Sequence, residues 1–188
     1  MTTANTDSGE PQPITPDLRE AVLALNNAHA VELSWLAPTQ LVSLLERAFY
    51  ARTIGAPGIE APGIGALGIG APEMGQVAAF LLAFDEAADY DSPNYLWFRD
   101  RYERFVYIDR VVVAPDARGQ GVADKLYADL IARASALGYD RLVCEVNADP
   151  PNPASDSFHA RHGFVPVGSA TIHGGAKTVR YLMLPLRD

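Results

Sequence analysis

The stretch Val111-Val112-Val113-Ala114-Pro115-Asp116-Ala117-Arg118-Gly119-Gln120-Gly121-Val122-Ala123 decides the fold. It begins inside Phe105–Val113, a β-branched and aromatic run that predicts a buried strand. The turn Ala114-Pro115-Asp116 closes that strand. From about Gly121 to Leu137 the apolar residues Val122, Leu126, Leu130 and Ala134 recur at helical spacing, while Lys125, Asp129 and Arg133 form an i,i+4 ladder facing water. Gly138 ends the helix. A strand therefore enters a glycine-flanked turn that opens a long helix. The first N–H groups of a helix have no partners within it and sit at the positive end of its dipole. Gly119 and Gly121 have no side chains to hold a phosphate off, and Arg118 adds a positive charge. The turn is expected to cradle a pyrophosphate.

Three phosphate-binding patterns compete for this turn. A P-loop needs G-x-x-x-x-G-K-[ST], and neither the spacing nor the lysine is present. A dinucleotide fingerprint needs G-x-G-x-x-G/A, but counting from Gly119 the last position is Asp124, an anion where a small residue belongs. The pattern R-x-x-G-x-A is met by Arg118, Gly121 and Ala123. The plain alternative is a helix that merely starts at a glycine-rich turn. The strand before it and the amphipathic helix after it weigh against that.

Upstream, residues 1–13 are polar and Pro-containing and read as a disordered tail. A helix is expected over Thr15–Leu33, with Thr15-Pro16-Asp17 at its start, and a second from about Pro38, with Leu41, Leu44, Leu45 and Ala48 on one face. Phe49–Ile54 and Gln76–Phe84 read as a strand hairpin. Between them stand three tandem pentapeptides, Ala56-Pro57-Gly58-Ile59-Glu60, Ala61-Pro62-Gly63-Ile64-Gly65 and Ala66-Leu67-Gly68-Ile69-Gly70. Alternating Gly and Pro oppose both helix and sheet, so 55–72 reads as a flexible insertion. Downstream come a strand over Arg141–Asn147, a helix over Pro153–His162 and a strand over Gly163–Gly168. A last strand, Thr178–Leu186, follows the Gly174-Gly175 turn. This order gives a mixed α/β fold, a largely antiparallel sheet flanked by helices, in a single domain over 14–188.

Composition narrows the function. Hydrophobic residues make up 48% of the 188, enough for a core and against wholesale disorder. A formal net charge of −8 argues against a general nucleic-acid or anionic-membrane binder. The single cysteine, Cys144, excludes an internal disulfide and a Cys-cluster metal site, and it reads as a small core residue. The polar N-terminus has no apolar leader pattern and no stretch is long enough to span a membrane, so a cytoplasmic location is expected.

The 111–123 stretch resembles the acetyl-CoA loop of the GNAT family of acyl-CoA-dependent N-acyltransferases. Asn152 to Ser155 and His159 to Gly163-Phe164 are similar to that family's second motif, N-x-x-A-x-x-x-Y-x-x-x-G-F, with Ser155 in place of Ala and His159 in place of Tyr. The resemblance covers roughly residues 76–186. It implies a GNAT-like fold using acetyl-CoA (coenzyme A), in which an amine attacks the acetyl thioester directly. By that resemblance the backbone of Val111 and Val113 would bond the pantetheine arm. Arg118, Gly119, Gln120, Gly121, Val122 and Ala123 would hold the pyrophosphate, and Asn152 would touch the pantetheine from the other side. No metal ligand is implied. The acceptor would be a primary amine of a small molecule or peptide, with neither nucleic acid nor membrane as partner. The alternative is a catalytically silent acyl-CoA-binding or regulatory module.

Direct attack needs a base, an oxyanion donor and an acid. His159 is the candidate acid, with packing beside the cofactor as its other reading. Asn152, before Pro153, also reads as a helix N-cap. For the base, Asp109 shares strand parity with Tyr107, Val111 and Val113, and a carboxylate inside an apolar strand is either paired or functional. Glu145, between Cys144 and Val146 on the next strand, is its rival, and water-mediated deprotonation stays open beside both. Seven aromatics lie between Tyr90 and Tyr107 among both signs of charge. They read as core, as the wall of an acceptor pocket for a cationic amine, or as a homodimer contact.

Overall fold

The strand Val77–Asp85 is buried at every residue from Val77 to Phe84, as expected for a strand covered on both faces. It lies inside a seven-stranded sheet in a computed structural model that describes residues 9–30, 33–56 and 77–186. In chain order the elements are β1 (Gln12–Pro13), α1 (Arg19–Ala28), α2 (Pro38–Arg47), β2 (Tyr50–Gly55), β3 (Val77–Asp85) and α3 (Pro93–Arg99). They continue with β4 (Val106–Val113), α4 (Val122–Ala136), β5 (Arg141–Asp149), α5 (Pro153–Arg161), β6 (Val165–Ile172) and β7 (Lys177–Pro185). The strand order is β1-β2-β3-β4-β5-β7-β6. The pair β4–β5 is parallel, and α4 supplies the crossover that a parallel pair requires. The fold is mixed α/β with a largely antiparallel sheet.

The chain packs as two compact units. One comprises Met1–Glu46, Tyr50–Leu82 and Arg110–Asp129, the other Arg47–Phe49, Ala83–Asp109 and Leu130–Asp188. In the first, Gln12 and Pro13 pair with Thr53 and Arg52, so the end of the expected tail is a short edge strand. Lys125 donates to the Gly9 carbonyl at 2.6 Å and to Glu10 at 3.3 Å, and these bonds tie that segment down. Lys125 and Asp129 thus find partners off the expected ladder, because Asp129 accepts from the Tyr50 hydroxyl at 2.8 Å. The expected first helix opens as a single 3-10 turn, Pro16–Leu18, and α1 ends at Ala28 rather than Leu33. The Asn26 side chain turns back to donate to the Ser34 carbonyl, and Asn27 exchanges two bonds of 2.9 Å with the backbone of Leu36. Asn26 also accepts from buried Arg110 at 2.9 Å. Residues 1–8 of the tail, 31–32 of the first helix and 57–72 of the insertion lie outside the described residues.

The second unit holds the aromatic segment. Tyr95, Phe98, Phe105 and Tyr107 are fully buried, with ring centroids 5.7 to 6.4 Å apart along Tyr95–Phe105–Phe98–Tyr107. α3, which the sequence reading passed over, presents Tyr95 and Phe98 to this cluster. Ser92 precedes it and Pro93 fills its first turn, where a missing N–H does no harm. α4 ends as expected: Gly138 has φ 81°, its N–H bonds the Ser135 carbonyl, and Tyr139 N–H bonds the Ala134 carbonyl.

Candidate functional site

The residues expected to cradle a phosphate form one continuous stretch of the first unit. On β4, Val111 and Val113 are half-buried while Arg110 and Val112 are buried, so the strand turns its more open face through Val111 and Val113. A 3-10 turn, Pro115–Ala117, follows, and Arg118 is extended at φ −65°, ψ 146°. Gly119 and Gly121 then take left-handed conformations at φ 74° and 77° before α4 begins at Val122. A Cβ built on Gly119 meets nothing within 4 Å, and one on Gly121 meets only the Asp124 carboxylate at 4.0 Å. The glycines are required by backbone conformation, and the space beside them is open. Val122 and Ala123 head the helix, where backbone N–H groups have no acceptor one turn earlier. The Arg118 side chain is exposed. Gln120 spends its amide on the Asp116 carbonyl at 2.7 Å and so braces the loop through its side chain. Open space, paired left-handed glycines and a helix start fit an anionic diphosphate.

The candidate base residues lie in the second unit, on adjoining strands of the sheet. Tyr107 pairs with Val143 in the parallel β4–β5 register, and Asp109 and Glu145 stand two positions further along. Two positions return to the same face, so both carboxylates project together. In the antiparallel β5–β7 register Glu145 faces Tyr181, and in the β6–β7 register Tyr181 faces Gly168. The paired row is Glu145, Tyr181, Gly168, and Asp109 stands near enough to act on Glu145 through its charge. Over that row lies α3, whose Asn94 and Trp97 share one face of the helix. Asn94 Nδ2 donates to Glu145 Oε1 at 2.8 Å, and Tyr181 Oη donates to Asn94 Oδ1 at 3.1 Å. Trp97 stacks on Tyr181 at 4.1 Å and fills the space above Gly168, where a Cβ would stand 2.6 Å from its ring. The Arg101 guanidinium covers the other side of Trp97 at 3.9 Å.

Asp109 accepts from the Tyr90 hydroxyl at 2.6 Å. Glu145 is bonded by the Tyr107 hydroxyl as well as by Asn94, while its Oε2 is buried and has no hydrogen-bond partner among the described residues. Burial, and then the neighbouring Asp109 carboxylate, push the Glu145 carboxyl up to about 7, and the bonds from Tyr107 and Asn94 oppose the shift. Burial and the same two carboxylates push Tyr107 well above its ordinary value, so it stays protonated and donates. Burial and Glu145 likewise raise Tyr181 to about 12. A carboxyl that titrates near neutrality can exchange a proton with a nitrogen at neutral pH.

α5 carries the remaining candidates. Asn152 is its N-cap, with Oδ1 accepting from Ser155 N–H at 3.1 Å. His159 is buried, edge-on to Phe158 and Phe164. Its Nδ1 lies 2.8 Å from the Ser155 carbonyl oxygen, which can only accept, so Nδ1 bears the proton. Burial lowers its pKa and favours the neutral ring. This is the geometry of a packed helix residue whose donor proton is already engaged. Cys144 is buried on β5, and burial raises its thiol. The sequence singles out both carboxylates and the glycine turn as candidates, and the structure sets the two carboxylates near one another. Sequence reasoning missed Asn94, whose one signal was the Ser92-Pro93 helix start within the aromatic segment.

Known proteins share sequence and fold with this chain. A 65-residue stretch is 45% identical to the phosphinothricin N-acetyltransferase of Alcaligenes faecalis, covering 35% of this chain and 32% of that one. The match thus spans about a third of that relative's length. An N-acetyltransferase structure from Staphylococcus aureus Mu50 superposes with TM-score 0.64 at 19% identity, over 94% of this chain and 98% of that one. Arabidopsis thaliana NAA60 in complex with acetyl-CoA superposes with TM-score 0.66 at 14% identity, over 93% and 97% of the two chains. At these identities the structures establish a shared fold. The model of the acetyltransferase (GNAT) family matches residues 33–164, most of the chain, and the protein belongs to that family.

Proposed function

We propose that the protein is an acetyl-CoA-dependent N-acetyltransferase acting on a primary amine of a small molecule or peptide. The observation that carries this reading is Glu145, a carboxyl raised to about 7 with one buried oxygen that has no hydrogen-bond partner among the described residues. A silent binding module has no use for an incompletely paired buried carboxylate, which burdens folding. Relatives solved with CoA or acetyl-CoA bound, and one named for phosphinothricin acetylation, support the thioester donor and the amine acceptor.

In this reading Gly119, Gly121 and the first N–H groups of α4 hold the diphosphate, with Arg118 as a neighbouring cation and, as the family resemblance implies, the backbone of Val111 and Val113 bonding the pantetheine arm. Asn152 caps α5 through its Oδ1. Acetyl-CoA supplies an activated acetyl group, whose C–S bond breaks as the new C–N bond forms. Glu145 takes one proton from the incoming ammonium at its carboxylate, so that the nitrogen carries a free lone pair. Asp109, held by Tyr90, adds negative charge that attracts the cation and keeps the proton on Glu145 affordable near neutral pH. The nitrogen gives up two protons in all: the one taken by Glu145 passes on to solvent, and the second, lost as the amide forms, is matched by the proton that the departing thiolate takes up. His159 serves as packing in α5, its donor proton bonded to Ser155.

The test is CoA thiol release from acetyl-CoA across a panel of primary amines, with Glu145→Gln as comparison. Turnover that Glu145→Gln abolishes supports the reading. CoA binding without turnover across the panel would replace it with the silent module. No CoA binding would overturn both.

A further inference from the structure

The two oxygens of Glu145 are in different states. Oε1 accepts from Asn94 Nδ2 at 2.8 Å, whereas Oε2 is buried without a partner among the described residues. Asn94 is itself oriented. A primary amide presents a donor on one side and an acceptor on the other, and the Tyr181 hydroxyl donates to its Oδ1 at 3.1 Å. A flipped amide would put Oδ1 against the Glu145 carboxylate and its NH2 against the Tyr181 hydroxyl. The stack of Arg101, Trp97 and Tyr181 in turn holds Tyr181 against α3.

We propose that Asn94 is the positioning residue of this site: with Tyr181 behind it, Asn94 engages Oε1 of Glu145 and leaves Oε2 as the atom that meets the amine. This rests on the reading of Glu145 as the base. The ligand matching Oε2 is an N–H donor carrying positive charge, the ammonium form of a primary amine. A bond donated to a carboxylate also favours its ionised form, so Asn94 keeps Glu145 ready to accept a proton at lower pH than burial and Asp109 alone would permit. The titratable groups facing Glu145 are Asp109 and Tyr107 from β4, Tyr181 from β7 and Cys144 beside it on β5, with Tyr90 bonded to Asp109. From α3, Asn94 is the polar group that reaches the carboxylate.

The experiment is the pH profile of kcat/KM for the full chain and for Asn94→Ala, Tyr181→Phe and Glu145→Gln, with acetyl-CoA and one accepted amine. Loss of one hydrogen bond to a charged carboxylate should move the acidic limb of Asn94→Ala upward by about one pH unit. The high-pH plateau should fall less than the rate at about pH 6. Tyr181→Phe keeps the ring stack but frees the amide to flip, and should move the limb the same way by less. A residue that merely supports the fold would lower the plateau and leave the limb in place, and that result in Asn94→Ala overturns the proposal. Should Asn94→Ala not fold, an unmoved limb in Tyr181→Phe overturns it equally. If Glu145→Gln keeps both rate and limb, the underlying assignment of the base fails. If Glu145→Gln is inactive while neither other variant moves the limb, only the role of Asn94 fails.

Discussion

Glu145→Gln separates the chemistry of the carboxyl from its shape, and the structure gives the size of the effect on stability. The unfolded carboxyl titrates at 4.5 and the folded one at about 7. The folded state therefore holds this proton more tightly, and the stability it brings is fully present below pH 4.5 and lost as pH rises to about 7. Each unit of difference is worth about 1.4 kcal/mol, so the whole window amounts to about 3 kcal/mol. Between about pH 5 and about pH 8 some 2–3 kcal/mol of it falls within reach of measurement. Glutamine does not titrate. Its NH2 at the orphan Oε2 position brings a cost of about 1–3 kcal/mol if it stays unpaired, but that cost is the same at both pH values and cancels in the difference.

The assay is urea unfolding of both proteins at about pH 5 and about pH 8. The stability of Glu145→Gln relative to the parent should rise by about 2–3 kcal/mol from the lower to the higher pH. The same variant should lose acetyl transfer at the pH where it gains stability. A difference that stays within about 0.5 kcal/mol between the two pH values would refute the raised carboxyl and the burial argument beneath it.

Three further outcomes are expected. Gly121→Val forces a β-branched residue to φ 77° and sets its side chain in the open space beside the helix start, so CoA affinity by calorimetry should fall by about 1–3 kcal/mol; unchanged affinity would contradict the cradle. Gly168→Ala drives a methyl to 2.6 Å from Trp97, which Arg101 and Tyr181 pin from both sides, so overpacking should outweigh the entropic gain of alanine and thermal unfolding should show a net loss of about 1–2 kcal/mol. His159→Phe should leave the pH profile of kcat/KM unmoved and cost about 1 kcal/mol of stability through the lost Nδ1–H bond to Ser155; a large fall in kcat with normal CoA affinity would restore His159 as the acid.

The parts legible in the sequence were those encoded by neighbours along the chain. The strand, glycine turn and helix of 106–136 follow from period-two and period-3.6 patterns and from Gly138, and each lies where the pattern predicts. Asp109 stood out because a charge breaks an apolar run, and Glu145 for the same reason. Their nearness did not, because it depends on the β4–β5 register, which is set by how two strands pair across a crossover. α3 was hidden by its own composition. Tyr95, Trp97 and Phe98 raise strand propensity, while in the helix only Tyr95 and Phe98 form the buried face. The ordering of Gln12–Pro13 was invisible for a related reason: a polar, Pro-containing segment carries no periodicity, and an edge strand needs only one partner.

The row across the sheet explains why packing and proton chemistry are inseparable here. Trp97 is one turn from Asn94 on the same face of α3, so the depth to which its ring settles over Gly168 sets the height of Asn94 above Glu145. A side chain at Gly168 would lift that face, and the bond to Oε1, at 2.8 Å, has little length to spare before it weakens. Tyr181 joins the two effects, since its ring bears the Trp97 stack and its hydroxyl orients the Asn94 amide. In the proposed arrangement an aromatic layer that would otherwise count as simple core thereby fixes which buried carboxylate oxygen is left without a hydrogen bond among the described residues. The stability forgone in burying Glu145 beside Asp109 is recovered in part by that layer, through stacked area and the Asn94 bond to Oε1. Rigid strands hold the carboxylates, and the roof orients Glu145, which is the division of labour the proposed proton acceptor for a cationic amine requires.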